Sequence, residues 1–332
     1  MEIKRFGTMP DGTPVTQYTI GNDTLRISVL DLGGILRGVY KDGKDLVAGF
    51  DTVEDYLADD SYQGALIGRY ANRIEDGIFT LDGVTYQLAK NENGITHLHG
   101  GSCGFSRRMW KVISVTDDTL SLSLFSPDMD EGYPGNLEVT VTYRVVSNAF
   151  SIDYQAVCDK NTPLNLTNHA YFNPNGYDGG DILSVMATLN ADRYDEVDAA
   201  LIPVKDVSVE GTVFDFRTPH AIGERIGGDF VGYDHNFYLI GDKAASVCGV
   251  TLPFAARLEG EHTITAYTDL PCVQMYIGNF LVGSPDLKGG VPKRRHHTVC
   301  LETQLAPNGP NRGVGILKAG EKFHSVTAFV ID

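Results

Sequence analysis

A chain of 332 residues, 42% hydrophobic and 21% charged, is long enough to bury a large core and has the composition of an ordinary globular protein. Its 27 basic and 43 acidic residues leave a formal net charge of −16. That balance argues against nucleic acid or an anionic membrane as the main partner, and it makes a poor field for phosphorylated substrates.

The opening Met1-Glu2-Ile3-Lys4-Arg5-Phe6-Gly7 is not followed by an apolar run, so no signal peptide is expected, and no stretch approaches the length of a membrane-spanning helix. Strand patterns then dominate. Leu25, Ile27 and Val29 alternate with Arg26 and Ser28. Leu120, Leu122 and Leu124 alternate with Ser121 and Ser123. Leu137, Val139, Val141, Tyr143 and Val145 alternate with polar residues, as do Phe150, Ile152 and Tyr154. A period of two predicts strands with one buried and one wet face. Asp42-Gly43, Asp82-Gly83, Asn93-Gly94 and Asn175-Gly176 predict tight turns between them. Helical signals are few: a short helix over Thr52–Leu57, capped by Thr52 with Glu54 and Asp55 at its positive end, and a brief turn over Pro219–Ile226. No strand–helix alternation supports a parallel sheet. The pattern predicts an all-β chain, residues 1–332 forming a single domain built as a large antiparallel β-sandwich. The five cysteines, Cys103, Cys158, Cys248, Cys272 and Cys300, are odd in number and widely spaced. They suggest neither a disulfide framework nor a CxxC metal site, and read as reduced thiols of a cytoplasmic protein.

Several stretches carry chemistry. In Leu164-Asn165-Leu166-Thr167-Asn168-His169-Ala170-Tyr171-Phe172-Asn173 a strand ends in a histidine flanked by amides and aromatics. An imidazole can carry a proton near neutral pH, and amides and aromatic faces suit sugar hydroxyls and ring faces. Gly68-Arg69-Tyr70-Ala71-Asn72-Arg73-Ile74 supplies an amide and guanidinium forks that fit vicinal hydroxyls, although the segment alone reads more simply as surface salt-bridge arginines. His97 and His99 are two apart and would share one face of a strand, which makes a metal site conceivable. The glycines Gly100 and Gly101 instead suggest close backbone approach and a hydrogen-bonding His99. Trp110 reads as core, and Asp130-Glu131 as a solvated loop. Asp234 enters a strand, Gln274 is embedded in a buried-looking one, and Glu302 sits between Leu301 and Thr303. A partly buried carboxylate is a candidate proton acceptor. Lys293-Arg294-Arg295-His296-His297 reads as a solvated basic loop with some capacity for phosphate.

Taken together, Gly68–Ile74, Leu98–Gly101, Asn165–Asn173, Asp234–Phe237 and Glu302–Gln304 resemble the aldose 1-epimerase (galactose mutarotase) family, in the family's order and over most of the chain. The resemblance implies an antiparallel β supersandwich and an isomerase that interconverts anomers of free aldoses with no metal or other cofactor. It implies His169 as general acid, Glu302 as general base, and Asn72, Arg73, His99, Asp234 and Gln274 as sugar-binding residues. One departure stands out: where the family commonly carries Pro-Asp-Ala, this chain has Pro307-Asn308-Gly309. Three rivals are weaker. A glycoside hydrolase would pair Glu302 with Asp234 and leave His169 idle. A non-catalytic carbohydrate-binding protein does not need an acid and a base together. A glucose-6-phosphate 1-epimerase-like enzyme would need the Lys293–Arg295 run as its phosphate pocket. The expected partner is a small-molecule sugar, and both monomer and homodimer stay open.

Overall fold

The computed structural model describes all 332 residues, and its strands form two large antiparallel sheets, a smaller N-terminal one and five two-stranded pairs. The larger sheet has nine strands. At its centre Leu137–Val146, Ala149–Cys158, the C-terminal Lys322–Ile331 and Thr263–Thr268 lie side by side. Its inward residues follow the expected alternation: Leu137, Val139, Val141, Tyr143 and Val145 are buried, while Glu138 and Arg144 are exposed. A six-stranded sheet runs in the order Tyr171–Phe172, Val299–Gln304, Cys272–Tyr276, Asp234–Leu239, Ala191–Val197 and Pro203–Ser208. Its core-facing residues Val273, Met275 and Leu301 join Leu122, Val141 and Ile152 of the larger sheet in one apolar cluster. Phe329 sits at the seam, its ring 5.1 Å from Phe150 in its own sheet and 5.0 Å from Phe172 in the other. Burying one such side chain contributes about 1.5–3 kcal/mol.

The N-terminal sheet of five strands, Glu2–Thr8 to Lys44–Asp45, flanks this sandwich. Its last hairpin turns at Asp42 and Gly43, both at positive φ (49° and 80°), as a two-residue turn between twisted strands requires. The single α-helix, Val53–Ala58, is capped as expected: Thr52 accepts a hydrogen bond from Asp55 N at 3.1 Å. Within Pro219–Ile226, His220–Ala221 is a two-residue strand paired with Met186 and Ala187, and a 3-10 turn follows over Ile222–Arg225. No helix is long and apolar enough to cross a membrane.

Two alternations misled. Ser28 is buried rather than wet, because the second face of its strand is covered and its hydroxyl bonds Thr19 at 2.8 Å. Leu164–Thr167 is buried on every side. Asn165 there donates to Ala71 O and Leu305 O and accepts from Leu305 N, so a polar residue in an alternating run serves the interior.

Candidate active site

The strand period places most of the site. Along Val299–Gln304, Leu301 points into the apolar core, while Cys300 and Glu302 leave from the opposite face. Register extends this face sideways: Glu302 stands opposite Gln274, Cys300 opposite Tyr276, and Tyr276 opposite Asp234. On the other side of Val299–Gln304, Tyr171 pairs with Cys300, and His169 lies two residues before it. A cavity of about 430 Å³ opens over this face, lined by His169, Glu302, Asp234, Tyr276, Asn72, Arg73, Glu92 and His99, and also by Tyr62, Phe280 and Lys293.

His169 Nε2 lies 3.6 Å from Glu302 Oε1, with both residues buried. Glu302 Oε2 has no hydrogen-bond partner. Burial, and then the neighbouring Asp234, push the Glu302 carboxyl well above its ordinary range, and Arg73 pulls it partly back. Burial drops the His169 imidazole to about 4. Its ring is stacked on Tyr171 at 5.0 Å and met edge-on by His99 at 5.2 Å.

Asn72 sits in the left-handed region (φ 63°), and its side-chain oxygen accepts from Arg73 N at 2.8 Å, which leaves its NH2 as the polar group for the cavity. Arg73 forks onto Glu92 with bonds of 2.8 and 2.7 Å, and its Nη2 stands 4.0 Å from Asp234 Oδ2. Burial works to raise Glu92, but the Arg73 fork outweighs it and holds the carboxyl below its usual value. His99 Nδ1 accepts from Asn72 N at 3.1 Å, so the proton of its neutral ring sits on Nε2.

His97 and His99 do not share a strand face. The strand ends at Leu98, and His99 turns off at φ 51°. His97 is held instead by Ala89 O and the Tyr133 hydroxyl at 2.8 and 2.7 Å. The backbone approach expected at the paired glycines is present: a Cβ on Gly100 would lie 1.9 Å from Gly68 O. A ring nitrogen of His99, one of His169 and a carboxylate oxygen of Glu302 lie within 4.8 Å of one another.

Gln274 does not line the cavity. It stands behind Asp234, donating to Asp234 Oδ1 at 2.7 Å, so it orients the carboxylate that faces the cavity. Arg69 is not a surface residue either. It is 2% exposed, and its guanidinium is spent on main-chain carbonyls rather than on a carboxylate. Arg73 is likewise buried against Glu92. The loop Asp130-Glu131 is half-buried and structural: Glu131 accepts from Ser102 N and Cys103 N, and Asp130 pairs with Arg108. In the basic run, Lys293 is buried and ion-paired with Asp59 at the cavity wall, while Arg294 and Arg295 face solvent. The only buried cation of that run is therefore already matched, which weakens it as a phosphate pocket.

The departure at Pro307-Asn308-Gly309 fits its surroundings. Asn308 Nδ2 donates to Glu75 Oε2 at 3.2 Å while its Oδ1 accepts from Glu75 N, and an aspartate there would set two carboxylates together. A Cβ on Gly309 would lie 2.0 Å from the Tyr70 hydroxyl. Sequence reasoning missed Glu92, Tyr62 and Tyr276 as lining residues. Glu92 lies in an ordinary Asn91-Glu92-Asn93-Gly94 turn, and no local signal marks it.

A buried imidazole beside a carboxylate, both turned to a polar cleft on a β-sandwich, is the arrangement of an acid–base enzyme for hydroxyl-rich substrates. Comparison with known proteins gives the family. Residues 16–330 match the family model described as aldose 1-epimerase. The chain is 39% identical to galactose mutarotase of Bos taurus, covering 98% of this chain and 96% of that one. It is 35% identical to aldose 1-epimerase of Escherichia coli K12, covering 96% of each. The crystal structure of galactose 1-epimerase from Lactobacillus acidophilus superposes with a TM-score of 0.87 at 28% identity, over 100% of this chain and 98% of that one. The chain belongs to the aldose 1-epimerase family, a family of carbohydrate isomerases.

Proposed function

We propose that the protein is a mutarotase interconverting the α and β anomers of free aldoses, D-galactose and D-glucose among them. The observation that carries this reading is the pairing of His169 Nε2 with Glu302 Oε1 at 3.6 Å over the cavity. In mutarotation the C1 hydroxyl loses a proton and the ring oxygen gains one. Both oxygens are bonded to C1, so acid and base must stand close together. The single proton of the pair passes from Glu302 to His169 across their contact, and Glu302 then takes the C1 proton while His169 gives its own to the ring oxygen. The ring opens to an aldehyde, the C1–C2 bond rotates, and the roles reverse as the ring closes on the other face. Asn72, Arg73, His99 and Asp234 hold the remaining hydroxyls, so the open chain does not leave during rotation. Gln274 acts through Asp234.

Polarimetry tests the activity directly. Freshly dissolved α-D-galactose or α-D-glucose should reach the same final rotation faster with protein than without, and with no new product. An unchanged approach with both sugars at ample protein sinks the reading. The same assay yields the pH dependence. The pair works when it holds one proton in all. Below about pH 4 His169 takes a second proton while Glu302 keeps its own, and no base remains. Above the raised Glu302 value the pair loses its last proton, and no acid remains. kcat/KM is therefore expected to have its acid limb near pH 4 and to hold a plateau from there up to the raised Glu302 value. A limb centred at the ordinary histidine value of 6.5 would contradict the burial of His169.

A further inference from the structure

Arg73 stands between two carboxylates and is bonded to only one of them. Its Nε and Nη2 donate to Glu92 at 2.8 and 2.7 Å, while Nη2 stops 4.0 Å short of Asp234 Oδ2, beyond hydrogen-bond length. Glu92 is fixed from its own side. Thr96 Oγ1 donates to Glu92 Oε2 at 2.5 Å, and Glu92 N donates to Thr96 O at 3.1 Å to close the turn between them. Asn91 pins the same turn to Leu98 through two bonds of 2.9 Å each, and Leu98 is the register partner of Arg73. Asp234 Oδ1 is taken by Gln274 at 2.7 Å. Two groups are left over: Arg73 Nη1 donates to nothing in the protein and Asp234 Oδ2 accepts nothing, and both residues line the cavity.

We propose that Glu92 is a positioning residue for sugar binding: it draws Arg73 off Asp234 and so keeps both open to the hydroxyls of a free aldose. This rests on the reading of the cavity as a sugar site given above. A guanidinium has only donors, and a buried one that loses its acceptor turns to the nearest carboxylate. Without the Glu92 charge, that carboxylate is Asp234. With Gln274 on Oδ1 and Arg73 on Oδ2, Asp234 would be saturated, and a sugar would have to break a buried ion pair to bind. Glu92 instead satisfies Nε and Nη2 together, in the two-bond geometry that a carboxylate and a guanidinium share, so the gap to Asp234 stays open. A hydroxyl both accepts and donates, so it can bond Arg73 and Asp234 at once. The fork in turn holds the Glu92 carboxyl below its usual value, and the spacing charge persists at neutral pH.

The test is a sugar-free crystal structure of Glu92→Gln, with polarimetry and calorimetry of the same variant on galactose. The substitution keeps the shape of the side chain, but its amide offers one acceptor oxygen where the fork needs two. Arg73 Nη2 should close on Asp234 Oδ2 from 4.0 Å to about 2.8 Å. KM and Kd should each rise about 10-fold, the scale of one charge-assisted hydrogen bond, with kcat within about 3-fold because His169 and Glu302 are untouched. A merely structural Glu92 would lower the melting temperature and leave KM where it was. A gap that stays open in the variant, or a closed gap with an unmoved KM, overturns the proposal. If Glu92→Gln does not fold, the crystal structure of Asp234→Asn decides. The Arg73–Glu92 fork should be undisturbed there, and a fork that opens would mean that Asp234, not Glu92, places Arg73. The functional reading fails separately: wild-type protein that does not speed mutarotation sinks that reading. An active wild type beside a Glu92→Gln variant of equal KM sinks only the role of Glu92.

Discussion

Glu302→Gln is expected to lower kcat for galactose by about 10²–10⁴-fold, the worth of one positioned proton transfer. The substitution keeps the shape of the side chain and its place opposite Gln274, and it removes the group that accepts the C1 proton. Affinity for the sugar, measured by calorimetry, should stay within about 3-fold, because the residues proposed to hold the hydroxyls are untouched. Turnover near the wild-type rate would take Glu302 out of the role of base. The same variant has a second readout in stability. A carboxyl whose folded-state pKa is raised binds its proton more tightly in the native state, so stability declines as pH climbs from the ordinary 4.5 toward the raised value. The glutamine variant has no such proton to lose. It should therefore melt at a higher temperature than wild type at pH 7, and the gap should close below pH 4.5. A gap that stays constant with pH would mean that Glu302 ionises normally in the folded protein.

The largest expected loss of stability follows from Arg69→Met. The Arg69 guanidinium donates to Pro134 O at 2.8 Å, Gly135 O at 3.0 Å, Ser126 O and Pro127 O at 3.1 Å each, Thr162 Oγ1 at 3.2 Å and the Ser126 hydroxyl at 2.6 Å. Methionine fills much of the same space and leaves those acceptors without donors. Each buried orphan costs about 1–3 kcal/mol, so even partial relaxation leaves a deficit of at least about 3 kcal/mol in urea unfolding. Arg69→Lys should recover less than half of the loss, since a three-donor ammonium cannot replace a five-donor planar fork. The effect reaches the site, because Arg69 anchors the segment that continues through Tyr70 and Ala71 to Asn72 and Arg73. KM for galactose is expected to rise in the variant while it is still folded. A loss under about 1 kcal/mol would show that the loop Ser126–Gly135 holds itself together without the guanidinium.

The chemistry-bearing stretches were legible because each combines a strand period with a residue type that strands rarely bury without purpose. Glu302 between Leu301 and Thr303 and Gln274 within Cys272–Tyr276 are examples. The resemblance to the family then supplied roles that no single stretch carries. What misled were readings that assume a strand has one wet face. Arg69, Ser28 and Asn165 look like surface residues in a list of letters. Each is buried because a second layer of chain covers it and supplies its hydrogen bonds. The same is true of Lys293, whose partner Asp59 is more than two hundred residues away.

The sequence by itself determined the fold class, the principal strands, the tight turns and the short capped helix, because alternation, Asx-Gly pairs and capping are local and act within a few residues. It also determined which face of Val299–Gln304 carries Glu302 and Cys300, since a period of two settles that once Leu301 is inside. Only the tertiary structure decided which strands become neighbours. That choice sets Glu302 beside His169, brings Arg73 between Glu92 and Asp234, moves Gln274 behind Asp234, and turns Cys300 toward the back of the imidazole. The physical reason is that these pairings are long-range. Their distances depend on the register and order of strands far apart in the chain, and the pKa shifts of His169 and Glu302 arise from burial that exists only after the layers have closed.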